Sequence, residues 1–394
     1  MPERLKERLS RQISWRLAKV LNPLIPGSSL QFGPPRGYVA SFEGWLKSRG
    51  AAEQSRRIEV YAEKTFQRCT PKTLETAPPR VLREAIYETT PSMGVYVIDS
   101  GRVIGREAAI VTPDDKVLLD LSLHFAPYHF EVYQEWKKRP PVKAGGPVLV
   151  LAGLPGDNYG HWLHQMLPRA QLATKAGFSH SDWAAVVIND SRGKFTFDSA
   201  EAVGIPREKC VPASSGLHLT GNPLVVPDFV PAGNPPAWAC NYLRDMVRQP
   251  ATGKRRRIFA TRRACRWRRL SNEAEIDAVL QSFGFETIEM DRMPFLESVR
   301  IFQEAEAVCG VHGANLSNIL FCEPGAKLIE IYHPGHPEAY FWTVASESSL
   351  EYYYVLGEGE RRDEPDLTPH GIYNHSDITL DPQKLRDTLV LAGL

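Results

Sequence analysis

Val308-Cys309-Gly310-Val311-His312-Gly313-Ala314-Asn315-Leu316-Ser317-Asn318 leaves an apolar run, turns through small residues and returns to apolar spacing. Val308 to Val311 reads as a buried strand, and Leu316 to Phe321 as a short helix. In an open parallel sheet such a junction lies at the carboxyl end of a strand, where the helix start presents free N–H groups to an anion. Gly313 and Ala314 leave room for a phosphate to approach the backbone, and His312 adds a hydrogen bond or a charge. The alternative is a tight turn with a structurally satisfied histidine.

Working outward, the pattern repeats. Arg257 to Ala260, Phe285 to Ile288, Ala307 to Val311 and Lys327 to Tyr332 read as strands. Between the first two, Asn272 with Glu275 three residues on resembles a capping box, Ile276, Val279, Leu280 and Phe283 mark one face, and Gly284 stops the helix. Between the next two, Phe295, Val299, Phe302 and Ala305 mark a second helix. Strands alternating with helices imply a parallel sheet with crossover helices. Glu330, on the strand after the glycine turn, is a candidate for ribose hydroxyls, with a surface charge or helix cap as the alternative.

Lys254, Arg255, Arg256, Arg257, Arg262, Arg263, Arg266, Arg268 and Arg269 form a basic run interrupted by the strand Ile258 to Ala260. The later arginines therefore emerge at the same sheet edge as the glycine turn. Guanidinium groups hold phosphate oxygens bidentately and stay charged. A solvated charge run or a nucleic-acid patch competes with that reading. Aromatic interleaving is limited to Phe259 and Trp267, and the formal net charge of the 394-residue chain is only +1, which argues against nucleic acid as a partner.

A third segment, Gly156-Asp157-Asn158-Tyr159-Gly160-His161-Trp162-Leu163-His164-Gln165-Met166-Leu167-Pro168-Arg169, runs from a loop into a helix expected over about Gly160 to Ala176. Leu163, Met166, Leu167 and Ala170 form its apolar stripe, leaving His161, His164 and Gln165 on another face. Histidines at the mouth of a sheet suit acid–base work. The alternative is capping by Asp157 or Asn158 with the histidines merely exposed. No third ligand accompanies the HxxH pair, so no metal is assigned.

The length implies two domains. We expect a basic amphipathic helix over 1–25, an acceptor-side α/β domain over 26–235 with an antiparallel β meander at 94–123, a nucleotide-binding domain over 236–360, and a tail with a helix over 361–394. The Pro/Gly-rich stretch from Pro223 to Pro236 suits the boundary. Leu5, Leu9, Ile13, Leu17, Val20, Leu21 and Leu24 set the apolar face of the first helix. It fits a peripheral membrane contact, or packing on the protein body or a second subunit. Six scattered cysteines without a CxxC pair argue against disulfides and structural zinc, and for a reducing, cytoplasmic compartment. No apolar stretch is long enough to span a bilayer.

Taken in order, three motifs resemble glycosyltransferase family 61. They are Asn158-Tyr159-Gly160-His161-Trp162 with Leu167-Pro168-Arg169; Thr261-Arg262 with Arg268-Arg269-Leu270-Ser271-Asn272-Glu273; and His312 through Asn318 with Phe321, Pro324-Gly325 and Glu330. The resemblance covers about Gly94 to Pro334. It implies an α/β protein of GT-B type, two Rossmann-like domains facing across a cleft, and an inverting enzyme that uses nucleotide sugars, usually UDP-sugars. Thr261 replaces the family's usual serine, and Asn315 stands where it has a second glycine.

On this reading Thr261, Arg262, Arg268, Arg269, His312, Gly313, Ala314, Asn315, Asn318 and Glu330 bind the donor. Asn158, Tyr159, Trp162 and Arg169 lie on the acceptor side. His161 is the catalytic base, with Asp157 and His164 behind it. The absence of a DxD motif makes transfer metal-independent, with no cofactor. The acceptor is a saccharide, free or lipid-linked, in capsule or lipopolysaccharide assembly. Two other classes stay open: a non-catalytic nucleotide-sugar or polysaccharide binder, and a nucleic-acid module using the arginine run.

Overall fold

The computed structural model describes residues 20, 34–49, 54–122, 132, 139–190, 195–290, 293–363 and 375–394. The amphipathic helix expected over 1–25 lies outside the described residues apart from Val20. The protein is mixed α/β and divides into two units. One comprises Met1–Ala62, Ser92–Trp162 and Arg169–Phe229, the other Glu63–Pro91, Leu163–Pro168 and Val230–Leu394. The chain thus leaves the first unit twice before its final departure at Val230, a path that a single boundary near residue 235 does not describe. No described helix is long and apolar enough to cross a membrane.

The second unit is built on five parallel strands: β1 (Arg256–Ala260), β2 (Phe285–Ile288), β3 (Ala305–Val311), β4 (Lys327–Tyr332) and β5 (Glu351–Leu356). Their order is β2-β1-β3-β4-β5. The near-continuous apolar runs of β3 and β4 fit strands covered on both faces. The helices that accompany them include α1 (Ala237–Met246), α2 (Glu273–Ser282), α3 (Phe295–Gln303), α4 (Tyr340–Glu347) and α5 (Pro382–Leu391). On one face Phe259, Cys309, Val311, Ile329, Ile331 and Tyr353 pack with Ile276 and Leu280 of α2 and Leu385 and Leu389 of α5. The C-terminal helix is therefore part of this core rather than an appendage. The alternation of strand side chains sends Gly310, Glu330, Tyr332, Tyr352 and Tyr354 to the other face.

The α2 boundary is held differently from its sequence signature. Asn272 is the N-cap residue, but its side chain makes no cap hydrogen bond. Its amide donates instead to Glu275 Oε2 and to the Leu380 carbonyl, while its oxygen accepts from Leu380 N–H. A nearby C-terminal segment offers backbone partners and outcompetes the local box. Gly284, at φ +77°, ends the helix as expected.

In the first unit, 210–213, 185–189, 148–150 and 224–227 form a parallel array extended antiparallel by 93–98 and 56–61. The second sheet of this unit contains 102–104, 109–111 and 116–118. Only these three strands form the meander. The run at 93–98 joins the other sheet, because Met93, Val95, Val97 and Ile98 are buried there while the turn at Ser100 redirects the chain.

The helix expected over Gly160–Ala176 is interrupted. Asn158 accepts hydrogen bonds from the N–H groups of Gly160 and His161 and caps one helical turn, Tyr159–His161. A π turn spans Trp162–Met166, and helix resumes at Arg169–Lys175. Pro168 supplies no N–H to continue the ladder between the two pieces.

Candidate nucleotide-binding site

The strand order β2-β1-β3-β4-β5 reverses direction between β1 and β3. Such a switch point opens a crevice outside the carboxyl ends of the two strands, where ligands of open α/β sheets bind. Here β1 ends in Ala260-Thr261-Arg262 and β3 in Val311-His312-Gly313, so both segments singled out by sequence meet at the one place that topology favours.

Their contacts revise the expected division of labour. Gly310 lets the following 3-10 helix, Ala314–Phe321, fold back onto the strand: a Cβ there would lie 2.7 Å from Leu316 Cδ2. At Gly313 a Cβ would lie 2.1 Å from Arg262 Nη1. The room above this glycine is thus occupied by a guanidinium, not reserved for a phosphate. Arg262 is buried and donates from Nη2 to the Trp267 carbonyl at 3.0 Å and from Nε to the Arg268 carbonyl at 3.2 Å, which shapes the loop it belongs to. Asn315 donates to the Thr261 carbonyl at 2.7 Å, tying the two strand ends together. Its side chain has a structural use that a second glycine lacks. Thr261 donates to Glu273 Oε1 at 2.6 Å and accepts from Arg263 N–H. Ala314 begins the 3-10 helix, and Asn318 is buried within it.

The arginine run separates into paired and inward groups. Arg255 and Arg257 both pair with Glu306, and Arg256 with Glu286, at the amino end of β1. At the carboxyl end Arg263 pairs with Glu273, and exposed Arg269 makes a 2.7 Å contact with Asp377. Arg268 differs. It is partly buried, its backbone is held at φ +56°, and its Nε has no hydrogen-bond partner among the described residues. Burial, with repulsion from Arg262, lowers its pKa to about 10, although Glu338 and Glu330 oppose the shift. A partly buried cation with an unmet donor and a cationic neighbour is suited to hold an anion.

His312 is enclosed by carboxylates. Its Nδ1 lies 2.6 Å from Glu330 Oε1, and its Nε2 3.2 Å from Glu338 Oε2. Burial opposes a charge on the ring, yet Glu338 and Glu330 outweigh it and raise the pKa. With an acceptor at each nitrogen, the imidazolium satisfies both contacts. Glu330 is fully buried, and its Oε2 accepts from the hydroxyls of Tyr332 and Tyr352, each at 2.9 Å. Its oxygens are thus committed within the protein, and its observed work is to orient His312 rather than to hold a ribose. Glu338 also meets His336 Nε2 at 2.8 Å, and despite the desolvation of its carboxyl the two histidines hold it well below the usual range. Sequence reading stopped at Glu330 and missed His336 and Glu338. The signal was two histidines and an acid in a Pro/Gly turn directly after that strand.

The four expected acceptor-side residues, Asn158, Tyr159, Trp162 and Arg169, all lie in the first unit, whereas the base candidates separate between the units. In the first unit, Trp162 is buried and its indole N–H donates to Ser199 Oγ at 2.7 Å. Arg169 is also buried. Its Nη1 donates to the Leu151 carbonyl at 3.0 Å, and its Nη2 and Nε to that of Pro227 at 2.6 and 3.1 Å. Packing places these two in the core of the first unit. Asp157 lies 3.4 Å from Arg106 and accepts from Asn189 Nδ2 at 3.1 Å. Tyr159 packs edge-on against Phe195. His161 is the partly exposed last residue of the capped turn. His164 belongs to the second unit, where its Nε2 lies 2.9 Å from the Ser317 carbonyl and its Nδ1 2.9 Å from Tyr340 Oη. The carbonyl can only accept, so Nε2–H donates to it, and both ring nitrogens have partners within the second unit. All six cysteines are free.

Residues 159–329 match the model of the glycosyltransferase 61 family. A curated relative, the EGF domain-specific O-linked N-acetylglucosamine transferase of Drosophila melanogaster, is 28% identical over 95 residues, 23% of this chain and 18% of that protein. The chain therefore aligns with less than a fifth of that relative's length. The segment that matches the family model contains His161, Arg262, Arg268 and His312, whereas Glu330, His336 and Glu338 lie just beyond it.

Proposed function

We propose that this glycosyltransferase 61 chain is an inverting enzyme of GT-B type that binds a nucleotide-diphosphate sugar, of the UDP-sugar class, in its second unit. The acceptor is a saccharide hydroxyl, free or lipid-linked, bound on the first unit, and the setting is assembly of a bacterial-type capsule or lipopolysaccharide in the cytoplasm. Residues 1–25 bring the protein to the membrane surface.

The observation that carries the donor site is Arg268, an inward guanidinium with an unmet donor at the switch point of a parallel sheet. Departure of the diphosphate develops negative charge. Arg268 stabilises it, with Arg262 holding the loop and His312 adding a fixed positive charge. These cations serve where other transferases use a divalent ion, so transfer proceeds without one. Inversion requires one displacement: the acceptor oxygen bonds to the anomeric carbon, the bond to the diphosphate oxygen breaks, and the hydroxyl proton passes to a base. His161 is assigned that role, since His164 has both nitrogens engaged and Asp157 is paired with Arg106.

Thermal-shift titration of UDP, GDP and CMP and their sugar conjugates, with and without chelator, tests donor class and metal use together. A shift with UDP that survives chelator is expected. Donor turnover lost in chelator and restored by manganese would overturn metal independence. Retention of near wild-type turnover by His161→Ala would remove it as the base. Nucleotide binding without any turnover of donor, by water or acceptor, would favour a non-catalytic binder.

A further inference from the structure

The turn His333-Pro334-Gly335-His336-Pro337-Glu338, between β4 and α4, brings two groups back to the end of β3. Glu338 lies with one oxygen 3.2 Å from His312 Nε2 and the other 2.8 Å from His336 Nε2. One ligand atom from each of these residues lies within 4.8 Å of the others. Both histidines are buried, at 5% and 2% exposure, while the Glu338 side chain is 25% exposed, so the cluster is largely enclosed yet open on one side.

Two further observations distinguish it from a chance meeting of polar groups. Glu330 sits behind His312, accepting at Nδ1 and fixing Nε2 toward the cluster, as outer carboxylates do for metal-binding imidazoles. His336 has no partner at Nδ1 among the described residues, although the ring is almost wholly buried. Among the described residues its Nε2, at Glu338, is therefore the ring nitrogen that has a polar partner. Hydrogen bonds hold this arrangement together only while protons occupy the Nε2 positions. A divalent ion takes the place of those protons, which pass to solvent, and the carboxylate then serves as a ligand.

We propose that His312 Nε2, His336 Nε2 and the Glu338 carboxylate form a binding site for one divalent ion of the zinc class. Two imidazoles and one carboxylate match zinc or cobalt, whereas magnesium prefers an all-oxygen octahedron. Three protein ligands leave the fourth position to water. The ion acts on the fold by closing the β4–α4 turn onto the end of β3, and the transfer reaction does not require it.

The full-length protein, stripped by chelator and then dialysed, is titrated with cobalt(II) and followed by its visible ligand-field bands; zinc and magnesium are compared by thermal shift. One equivalent of cobalt with intense tetrahedral-type bands is expected, with a zinc-induced rise in Tm and none from magnesium. His336→Asn and Glu338→Gln should each weaken cobalt binding at least about tenfold. His180→Asn, in the first unit, should bind as wild type does. Binding well below one equivalent, or unchanged binding in both site variants, overturns the proposal. Circular dichroism of the metal-free variants confirms their fold, and the wild-type stoichiometry decides the matter even where a variant fails to fold.

Discussion

Each unit carries an arginine near the carboxyl ends of its parallel strands, and the two are treated in opposite ways. Arg169 of the first unit is wholly buried, gives its donors to the carbonyls of Leu151 and Pro227, and lies over Phe229 with its guanidinium carbon 4.1 Å from the ring centroid. Arg268 of the second is only partly buried but has an unmet donor and a cationic neighbour. Burial depresses both, Arg169 to about 9 and Arg268 to about 10. Depression of a pKa therefore does not distinguish these two arginines; completeness of their hydrogen bonding does.

The sharpest way to break this comparison is to remove each guanidinium in turn. Arg169→Met leaves buried carbonyls without donors and should cost about 3 kcal/mol of stability by urea unfolding. Arg268→Met should move the unfolding midpoint little, while weakening UDP binding about 30-fold, the scale of lost charge-assisted bonds, by calorimetry. Equal stability losses would place the two arginines in one class. Next in size is Gly313→Ala, whose methyl would collide with Arg262; a loss of about 1–3 kcal/mol, with weaker UDP binding, is expected. Gly37→Ala in the first unit meets nothing within 4 Å and should be neutral in the same assay. The smallest effect is that of Asn315→Ala, which removes one tie between the strand ends and should cost about 1 kcal/mol by thermal unfolding.

Much of the second unit was legible because its elements are continuous in sequence. The strands at Phe285–Ile288 and Lys327–Tyr332 have the bounds read from the sequence, and the glycine turn and arginine loop follow their strands directly. What escaped depends on partners distant in the chain. Nothing near Arg169 says that its acceptors are carbonyls on two other strands, so a buried cation resembled a ligand contact. Glu330 has an acid's sequence context, but the tyrosines that consume its oxygens include one on the next strand, at Tyr352. His164 shares an HxxH motif with His161, yet the π turn and Pro168 send Leu163–Pro168 to the second unit. The alternation of helix faces could not announce that break. The Asn272 capping box failed for the same reason, since its competitor is Leu380.

The interlaced chain path limits how this protein can be taken apart. The second unit is assembled from Glu63–Pro91, Leu163–Pro168 and Val230–Leu394. A chimera joined at Val230, designed to exchange donor preference with another protein, would transplant one of those three pieces and leave the others behind. The six-residue piece carries His164, whose bonds reach Ser317 and Tyr340, so the recipient would supply a foreign contact beneath the transplanted turn. Modular exchange in this architecture therefore requires three coordinated grafts, two of them inside what looks, on a linear map, like the other half of the protein.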